Sequence, residues 1–93
     1  MDSINFEWDE VKNASNQNKH GVSFEEAQSV FSDELGRLIP YPDHSENEER
    51  FILMGISNKN KLLTVCHCER KLNTIRIISA RKADKCELKY YEG

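Results

Sequence analysis

The 93-residue sequence has few of the features that mark specialised classes of protein. Its three cysteines form an odd set without C-x-x-C spacing, which argues against a disulfide scaffold and indicates reduced thiols. It contains no run of 18 apolar residues, no basic and apolar leader, no internal repeat and no low-complexity tract. With 38% hydrophobic and 31% charged residues, we expect one small globular domain over residues 1–93, located in the cytoplasm.

Charge is distributed unevenly along this chain. Residues 1–50 carry 12 acidic and 4 basic side chains, whereas residues 51–93 carry 4 acidic and 9 basic ones, although the net charge is only −3. The second half is therefore the candidate for contact with an anionic partner such as nucleic acid. Pairing of the two halves with each other in the fold would explain the same asymmetry without a ligand.

The stretch "FEWDEVKNASNQNKHG" predicts a first helix. Asp9 is a suitable N-cap and Gly21 a suitable residue just past the end, after two basic side chains that favour the negative end of the helix dipole. Only Val11 and Ala14 form a clear apolar pair at helical spacing. We therefore expect the aromatic residues of "FEWD" to supply the core anchors beside it.

A second helix is predicted from Ser23, where Ser23 and Glu26 match the S-x-x-E capping box. Four apolar residues then follow at helical spacing and form one stripe for a core: Phe24, Ala27, Val30 and Phe31. We expect this helix to end within residues 32–36.

Beyond Arg37 the pattern becomes extended, with β-rich runs at "RLIPYPD", "RFILMGIS", "KLLTVCHCE" and "TIRIISAR". The two prolines of the first run favour an edge strand, and an acidic loop, "PDHSENEE", follows it. "NKN" and "RKLN" have suitable lengths for hairpin turns, and "KADKCELKYYEG" returns to a helical pattern. The sequence predicts an α+β fold with two N-terminal helices, an antiparallel meander of about four strands and a C-terminal helix.

The segment "TVCHCE" raises the question of a metal site. Side chains alternate along a strand, so Cys66 and Cys68 should share one face while His67 lies on the other. The sequence offers no second ligand pair at zinc-site spacing, and buried free cysteine is the common alternative. Mid-strand placement also argues against a nucleophilic cysteine. We expect Cys86, in the last helix, to serve packing alone.

Phosphate chemistry is the second candidate for the same region. His67 and Glu69 share one predicted strand face, and regular alternation would place Arg76 and Arg81 on opposite faces of the next strand. RNA cleavage through the 2′-hydroxyl needs a base, an acid and donors to the phosphate, which histidine and arginine can supply. A hydrogen-bonded structural histidine and solvated arginines are the alternative interpretation.

Several segments together resemble the BrnT family of type II toxin–antitoxin toxins. They are "FEWD", Lys12, Asn16, "KHGVSFEEA", Phe31, "PDH", "EERF", Gly55, "LLTVCHCER", "IRIISARKA" and the closing "E..YYE". The resemblance spans essentially the whole chain. It implies a fold similar to RelE-type ribonuclease toxins, RNA cleavage without a metal or other cofactor, and neutralisation by a BrnA-type antitoxin with a ribbon-helix-helix domain. It further implies a toxin–antitoxin heterotetramer that binds operator DNA through the antitoxin.

Our leading hypothesis from sequence is therefore a metal-independent ribonuclease toxin that inhibits translation. We assign catalysis to His67, Arg76 and Arg81. Four residues are weaker candidates for substrate binding: Lys19, His20, Arg50 and Glu69. The second hypothesis is a non-catalytic binding module that regulates transcription through an antitoxin-like partner, because the acidic first half could dock a basic protein.

Overall fold

The computed structural model describes residues 4–40 and 50–92, which form strands and helices of an α+β fold. In chain order the elements are β1 (Asn5–Glu7), α1 (Glu10–His20), α2 (Phe24–Ser29), a 3₁₀ turn (Val30–Ser32), β2 (Arg37–Pro40), β3 (Arg50–Ile56), β4 (Leu62–Arg70), β5 (Thr74–Lys82) and α3 (Lys85–Glu92). The predicted α+β class is confirmed. The acidic loop predicted over residues 42–49 lies outside the described residues. Within the described ranges, no helix is long and apolar enough to cross a membrane.

Helix α1 has the capping residues that the sequence predicts. Asp9 Oδ1 accepts hydrogen bonds from the backbone N–H groups of Val11 at 2.8 Å and Lys12 at 3.4 Å. At the other end Gly21 adopts the left-handed conformation, with φ of 71°, and its N–H donates to the carbonyl of Gln17 at 2.8 Å. Local sequence therefore fixes both ends of this helix.

Val11 and Ala14, the apolar pair of α1, are both exposed, which agrees with the expectation that other residues anchor this helix. The helix instead docks through a buried asparagine. Asn16 Nδ2 donates to the carbonyls of Val22 and Ala80, each at 2.8 Å, and Asn16 Oδ1 accepts from the N–H of Ala80 at 3.2 Å. These bonds join α1 to β5 through polar groups that an analysis of apolar spacing does not consider.

Ser23 caps α2, but only half of the predicted capping box is observed. Ser23 Oγ accepts from the N–H of Glu26 at 3.0 Å. The buried side chain of Glu26 accepts a hydrogen bond from Ser57 Oγ at 2.7 Å, across the molecule. Glu26 therefore ties α2 to the turn after β3. The 3₁₀ turn carries the helical stretch to Ser32, which agrees with the predicted end.

The sheet has five strands in the order β1-β5-β4-β3-β2, and β1 pairs with β5 in parallel. The meander from β2 to β5 is antiparallel, as predicted, and β2 lies at the edge. The prediction of four antiparallel strands is wrong because it omits β1. Three residues are too few to show alternation, and the partner strand lies near the other end of the chain.

Helices α1 and α2 pack on one face of this sheet, which we call the helix-covered face. The core lies between the helices and the sheet and contains these buried side chains: Val22, Phe24, Ala27, Val30, Leu63, Val65, Ile77 and Ala80. Partly buried Phe6, Trp8, Phe31 and Leu53 extend it, so the residues of "FEWD" act as core anchors as predicted. The opposite face carries α3.

Candidate functional site

A bulge in β5 determines which way its arginines point. The pairing of β4 with β5 shifts between Cys66 and His67, which leaves Ile78 as an extra residue without an opposite partner. Arg76 and Arg81 are five residues apart, but the bulge restores them to one face. The prediction of opposite faces is therefore wrong, since it assumed regular alternation.

Four arginines mark the corners of the face opposite α1 and α2, which we call the arginine face: Arg37, Arg50, Arg76 and Arg81. Directly opposed residues define two cross-strand rows on it. One row is Arg50, Cys68, Arg76 and Glu7, and the other is Arg37, Met54, Thr64 and Arg81. With strands about 4.8 Å apart and about 3.3 Å per residue, the rows are separated by roughly 13 Å. The face thus presents widely spaced cations.

At one corner, Arg76 pairs with a carboxylate that the sequence analysis did not identify. Its Nη1 donates to Glu7 Oε2 at 3.0 Å, and Arg70 Nε lies 3.9 Å from the same oxygen. All three side chains are partly exposed. Glu7 was missed because it lies on the short strand β1, whose pairing with β5 brings it beside Arg76.

At the other end of β5, Arg81 forms a two-pronged pair with Glu87 on α3. Nη1 and Nη2 donate to the two carboxylate oxygens, each at 2.7 Å. The hydrogen bonds raise the pKa of Arg81 and lower the pKa of Glu87. Both groups are therefore charged at neutral pH, and the pair fixes the orientation of the guanidinium group.

The helix α3 lies over the row that contains Arg37 and Arg81. The Nε of Arg37 donates to the carbonyl of Tyr91 at 3.0 Å, and its guanidinium carbon is 5.8 Å from the centre of the Tyr90 ring. Tyr91 also donates its hydroxyl to Asp33 at 2.6 Å, which lowers the pKa of that carboxyl group. None of the described residues of α3 is buried, so polar contacts account for much of its attachment.

His67 lies on the helix-covered face, away from the arginines. Its side chain is 3% exposed, and its ring centre is 4.9 Å from that of Phe31 and 6.1 Å from that of Phe51. Nδ1 has no hydrogen-bond partner among the described residues. Burial lowers the pKa of His67, partly offset by the backbone of Val65 and the charge of Glu69. The imidazole is therefore neutral at pH 7 and shielded from solvent.

The weaker candidates fall in three places. Arg50 belongs to the arginine face, in the same cross-strand row as Arg76. Glu69 is exposed on the same side of β4 as His67. Lys19 and His20 occupy the last turn of α1, where basic residues suit the negative end of the helix dipole. The structure thus brings the arginines together and leaves the other candidates apart from them.

The cysteines lie as the alternation predicts, with Cys66 and Cys68 buried on the face opposite His67. Burial raises the pKa of Cys66, which keeps its thiol protonated at neutral pH. Cys86 is exposed, so the expectation that it serves packing is wrong. In the two described ranges, no group of three or more His, Cys, Asp or Glu side chains could hold a metal ion.

Comparison with known proteins identifies the family of this chain. The sequence model of the ribonuclease toxin BrnT of type II toxin–antitoxin systems matches residues 8–87. The chain belongs to the BrnT family. The crystal structure of the Brucella abortus ribonuclease toxin BrnT is similar, with a TM-score of 0.65 over 89% of this chain and 100% of that chain. Sequence identity to it is 22%, so this likeness concerns the fold. Comparison with curated proteins finds no match.

Membership of the BrnT family confirms the resemblance noted in the sequence. BrnT proteins are ribonuclease toxins of type II systems, so a toxin role and an antitoxin partner apply at the level of the family. The matched region includes Arg76, Arg81 and Glu87, whereas Glu7 lies just before it. The ion pair at one corner of the arginine face therefore lies within the BrnT match, and the pair at the other corner extends beyond it.

Proposed function

We propose that this BrnT protein is an endoribonuclease that cleaves RNA without a metal, inhibits translation in the cytoplasm and is neutralised by a BrnA-type antitoxin. The supporting observation is the arginine face, where the bulge at Ile78 brings Arg76 and Arg81 onto one surface. Guanidinium groups bind phosphate oxygens through paired hydrogen bonds, and this property suits a polyanionic substrate.

In the proposed reaction the 2′-hydroxyl of RNA loses its proton to a base and its oxygen bonds to phosphorus. The bond from phosphorus to the 5′ oxygen breaks, and that oxygen takes up a proton. Negative charge increases on the non-bridging oxygens, where fixed donors are most effective. Arg76 and Arg81 are proposed to supply those donors. The carboxylates of Glu7 and Glu87 now hold the two guanidinium groups, at 3.0 Å and 2.7 Å. Phosphate oxygens would take the place of these carboxylate oxygens when RNA binds.

Among the other candidates, Arg50 fits this proposal best because it shares a row with Arg76. His67 is a weaker candidate for proton transfer, since it is enclosed by Phe31 and Phe51 on the other face. For the partners, we propose a toxin–antitoxin heterotetramer of the kind the resemblance implies, in which the antitoxin contacts operator DNA.

The test is cleavage of a labelled RNA by the purified toxin, in EDTA, with single variants at the arginine face. Arg76→Ala and Arg81→Ala should each lower the cleavage rate by about 100-fold, as expected when one transition-state donor is removed. Lys59→Ala is the matched control, because it removes an exposed cation from the turn after β3.

Full cleavage by both arginine variants would reject these assignments, and loss of wild-type activity in EDTA would reject metal independence. His67→Leu belongs in the same series. If it abolishes cleavage while the thermal midpoint is kept, His67 is the proton-transfer group despite its burial.

A non-catalytic binding module is the second candidate. The observation in its favour is that Arg76 and Arg81 already have carboxylate partners within the chain. Expression without an antitoxin separates the two functions. Growth arrest with degradation of RNA supports the ribonuclease, whereas harmless accumulation of the folded protein supports the module.

A further inference from the structure

An open groove lies between β1 and the helical stretch from α2 to the 3₁₀ turn. Its volume is about 520 Å³, and its apolar lining comes from Ile4, Phe6 and Phe31. The ring of Phe31 contacts that of His67, so this groove lies on the helix-covered side of the sheet. The proposed reaction at the arginine face does not use it. Ile4, at its mouth, is 57% exposed despite being a large aliphatic residue.

The strand beside this groove has one edge that no other strand of residues 4–40 and 50–92 pairs with. β1 is the terminal strand of the order β1-β5-β4-β3-β2, and the N–H of Asn5 donates toward β5, to the carbonyl of Asn73 at 2.9 Å. Backbone groups of successive residues in a strand point to opposite sides. The N–H and C=O of Phe6 therefore point away from β5, where an added strand could bond to them.

The polar rim of the groove has one carboxylate, Glu25, beside three neutral polar side chains, and a second carboxylate, Glu10, is tied to it. Glu25 lines the groove, and Asn13 Nδ2 donates to Glu25 Oε1 at 3.1 Å and to Glu10 Oε1 at 3.2 Å. One amide therefore holds two exposed carboxylates together. No Lys or Arg is among the described residues that line the groove. The groove thus complements a segment that combines apolar and cationic side chains.

We infer that this groove and the edge of β1 form the docking site for an extended, cationic segment of the antitoxin. The segment adds a strand beside Phe6, places an apolar side chain in the groove next to Ile4, and places a Lys or Arg against Glu25 and Glu10. This inference rests on the toxin–antitoxin part of the proposed function. It does not depend on RNA cleavage, because the groove and the arginine face lie on opposite sides of the sheet.

The test measures the Kd between the purified toxin and the antitoxin encoded beside it. Ile4→Arg and Glu25→Arg should each weaken binding by about tenfold or more, since each places a cation against the incoming segment. Leu88→Arg and Glu92→Arg are matched controls. They replace an aliphatic residue and a glutamate by arginine at exposed positions on α3, across the sheet, and should change Kd by less than about twofold.

Amide hydrogen exchange provides a second measurement on the unmodified pair. The Phe6 amide should gain protection when the antitoxin binds, because an added strand would bond to it. Equal Kd values for the groove variants and wild type would overturn the inference, as would a wild-type toxin that binds no antitoxin. A toxin that dimerises alone and loses its dimer with Ile4→Arg would also overturn it, in favour of a second copy.

RNA cleavage by the free groove variants separates this inference from the proposed function. Both variants should cleave RNA at the wild-type rate. Absence of cleavage by the wild-type protein, with antitoxin binding lost in the groove variants, would reject the ribonuclease and keep the docking site. Cleavage that requires Arg76 and Arg81, with antitoxin binding unaffected by the groove variants, would reject the docking site alone.

Discussion

The two faces of the sheet use polar groups in different ways. On the helix-covered face, Asn16 is buried and its side chain bonds to main-chain groups of Val22 and Ala80. Replacement of Asn16 by an apolar residue would leave these buried groups without their partner. On the arginine face, Arg76 and Arg81 bond to partly exposed carboxylates, and a solvent molecule or phosphate can replace such a partner. The first arrangement maintains the fold, and the second remains available to a ligand.

His67 shows how this difference affects the assignment of function. From sequence it lies beside two cysteines and near several arginines, and it looks like part of a reactive cluster. In the structure it shares a face with Phe31 and Val65, and its burial resembles that of the core residues around it. Whether a histidine or arginine can reach a substrate therefore depends on the face of the sheet on which it lies.

The largest expected effect is on the helix-covered face. Asn16→Ala removes three hydrogen bonds and leaves the carbonyls of Val22 and Ala80 without that donor. We expect the free energy of unfolding in urea to fall by about 2–4 kcal/mol. Asn18→Ala, an exposed change in the same helix, is the control and should alter it by less than about 0.5 kcal/mol. Similar small losses in both variants would contradict the role given to Asn16.

An intermediate effect is expected for the pH dependence of stability. Burial lowers the pKa of His67 below its ordinary value of 6.5 in the folded state. At a pH between the folded-state pKa and the ordinary pKa, the unfolded chain binds a proton at His67 that the folded chain does not. The free energy of unfolding therefore falls as the pH decreases through this window. The slope contributed by His67 cannot exceed about 1.4 kcal/mol per pH unit.

The measurement is urea unfolding of wild type and His67→Leu from about pH 7.5 to about pH 5.5. The variant should lose less stability than wild type over that range, because it lacks the titrating imidazole. The two proteins share every titratable group except His67, so the difference between the two curves reports the contribution of His67. Parallel curves would show that His67 is protonated as readily in the folded protein as in the unfolded chain.

The smallest effect is expected on the arginine face. Arg76→Ala and Arg81→Ala each remove a partly exposed ion pair, and such pairs contribute at most about 1 kcal/mol. Unfolding in urea under the conditions used for Asn16→Ala allows a direct comparison. A loss from either arginine variant as large as that from Asn16→Ala would remove the distinction between the two faces.

Several elements were predictable from sequence because the signal for each is local. Asp9, Gly21 and Ser23 each contact a backbone group within four residues, so their side chains and spacing were sufficient to place the helix ends. The strands of the meander were predictable for a similar reason, since each is long enough to show a β-rich run of residues. Short turns also join β3 to β4 and β4 to β5.

The features that were missed depend on residues distant in sequence. Asn16 meets Ala80, Glu26 meets Ser57, and Glu7 meets Arg76 only after the chain has folded. The bulge at Ile78 is a special case, because β5 was assumed to alternate without interruption. Ile77 and Ala80 both belong to the core although they are three residues apart, and an odd interval of that kind between apolar residues was the available signal.

The extra residue at Ile78 also affects how this chain tolerates change. A substitution in β5 alters one side chain, whereas removal of Ile78 would close the bulge and make the alternation regular without changing the face of any other position. Arg76 and Arg81 would then lie four residues apart and would still point to the same side of the sheet. The strand can therefore lose its extra residue without separating its arginines, whereas one residue added beside the retained bulge would turn them to opposite sides.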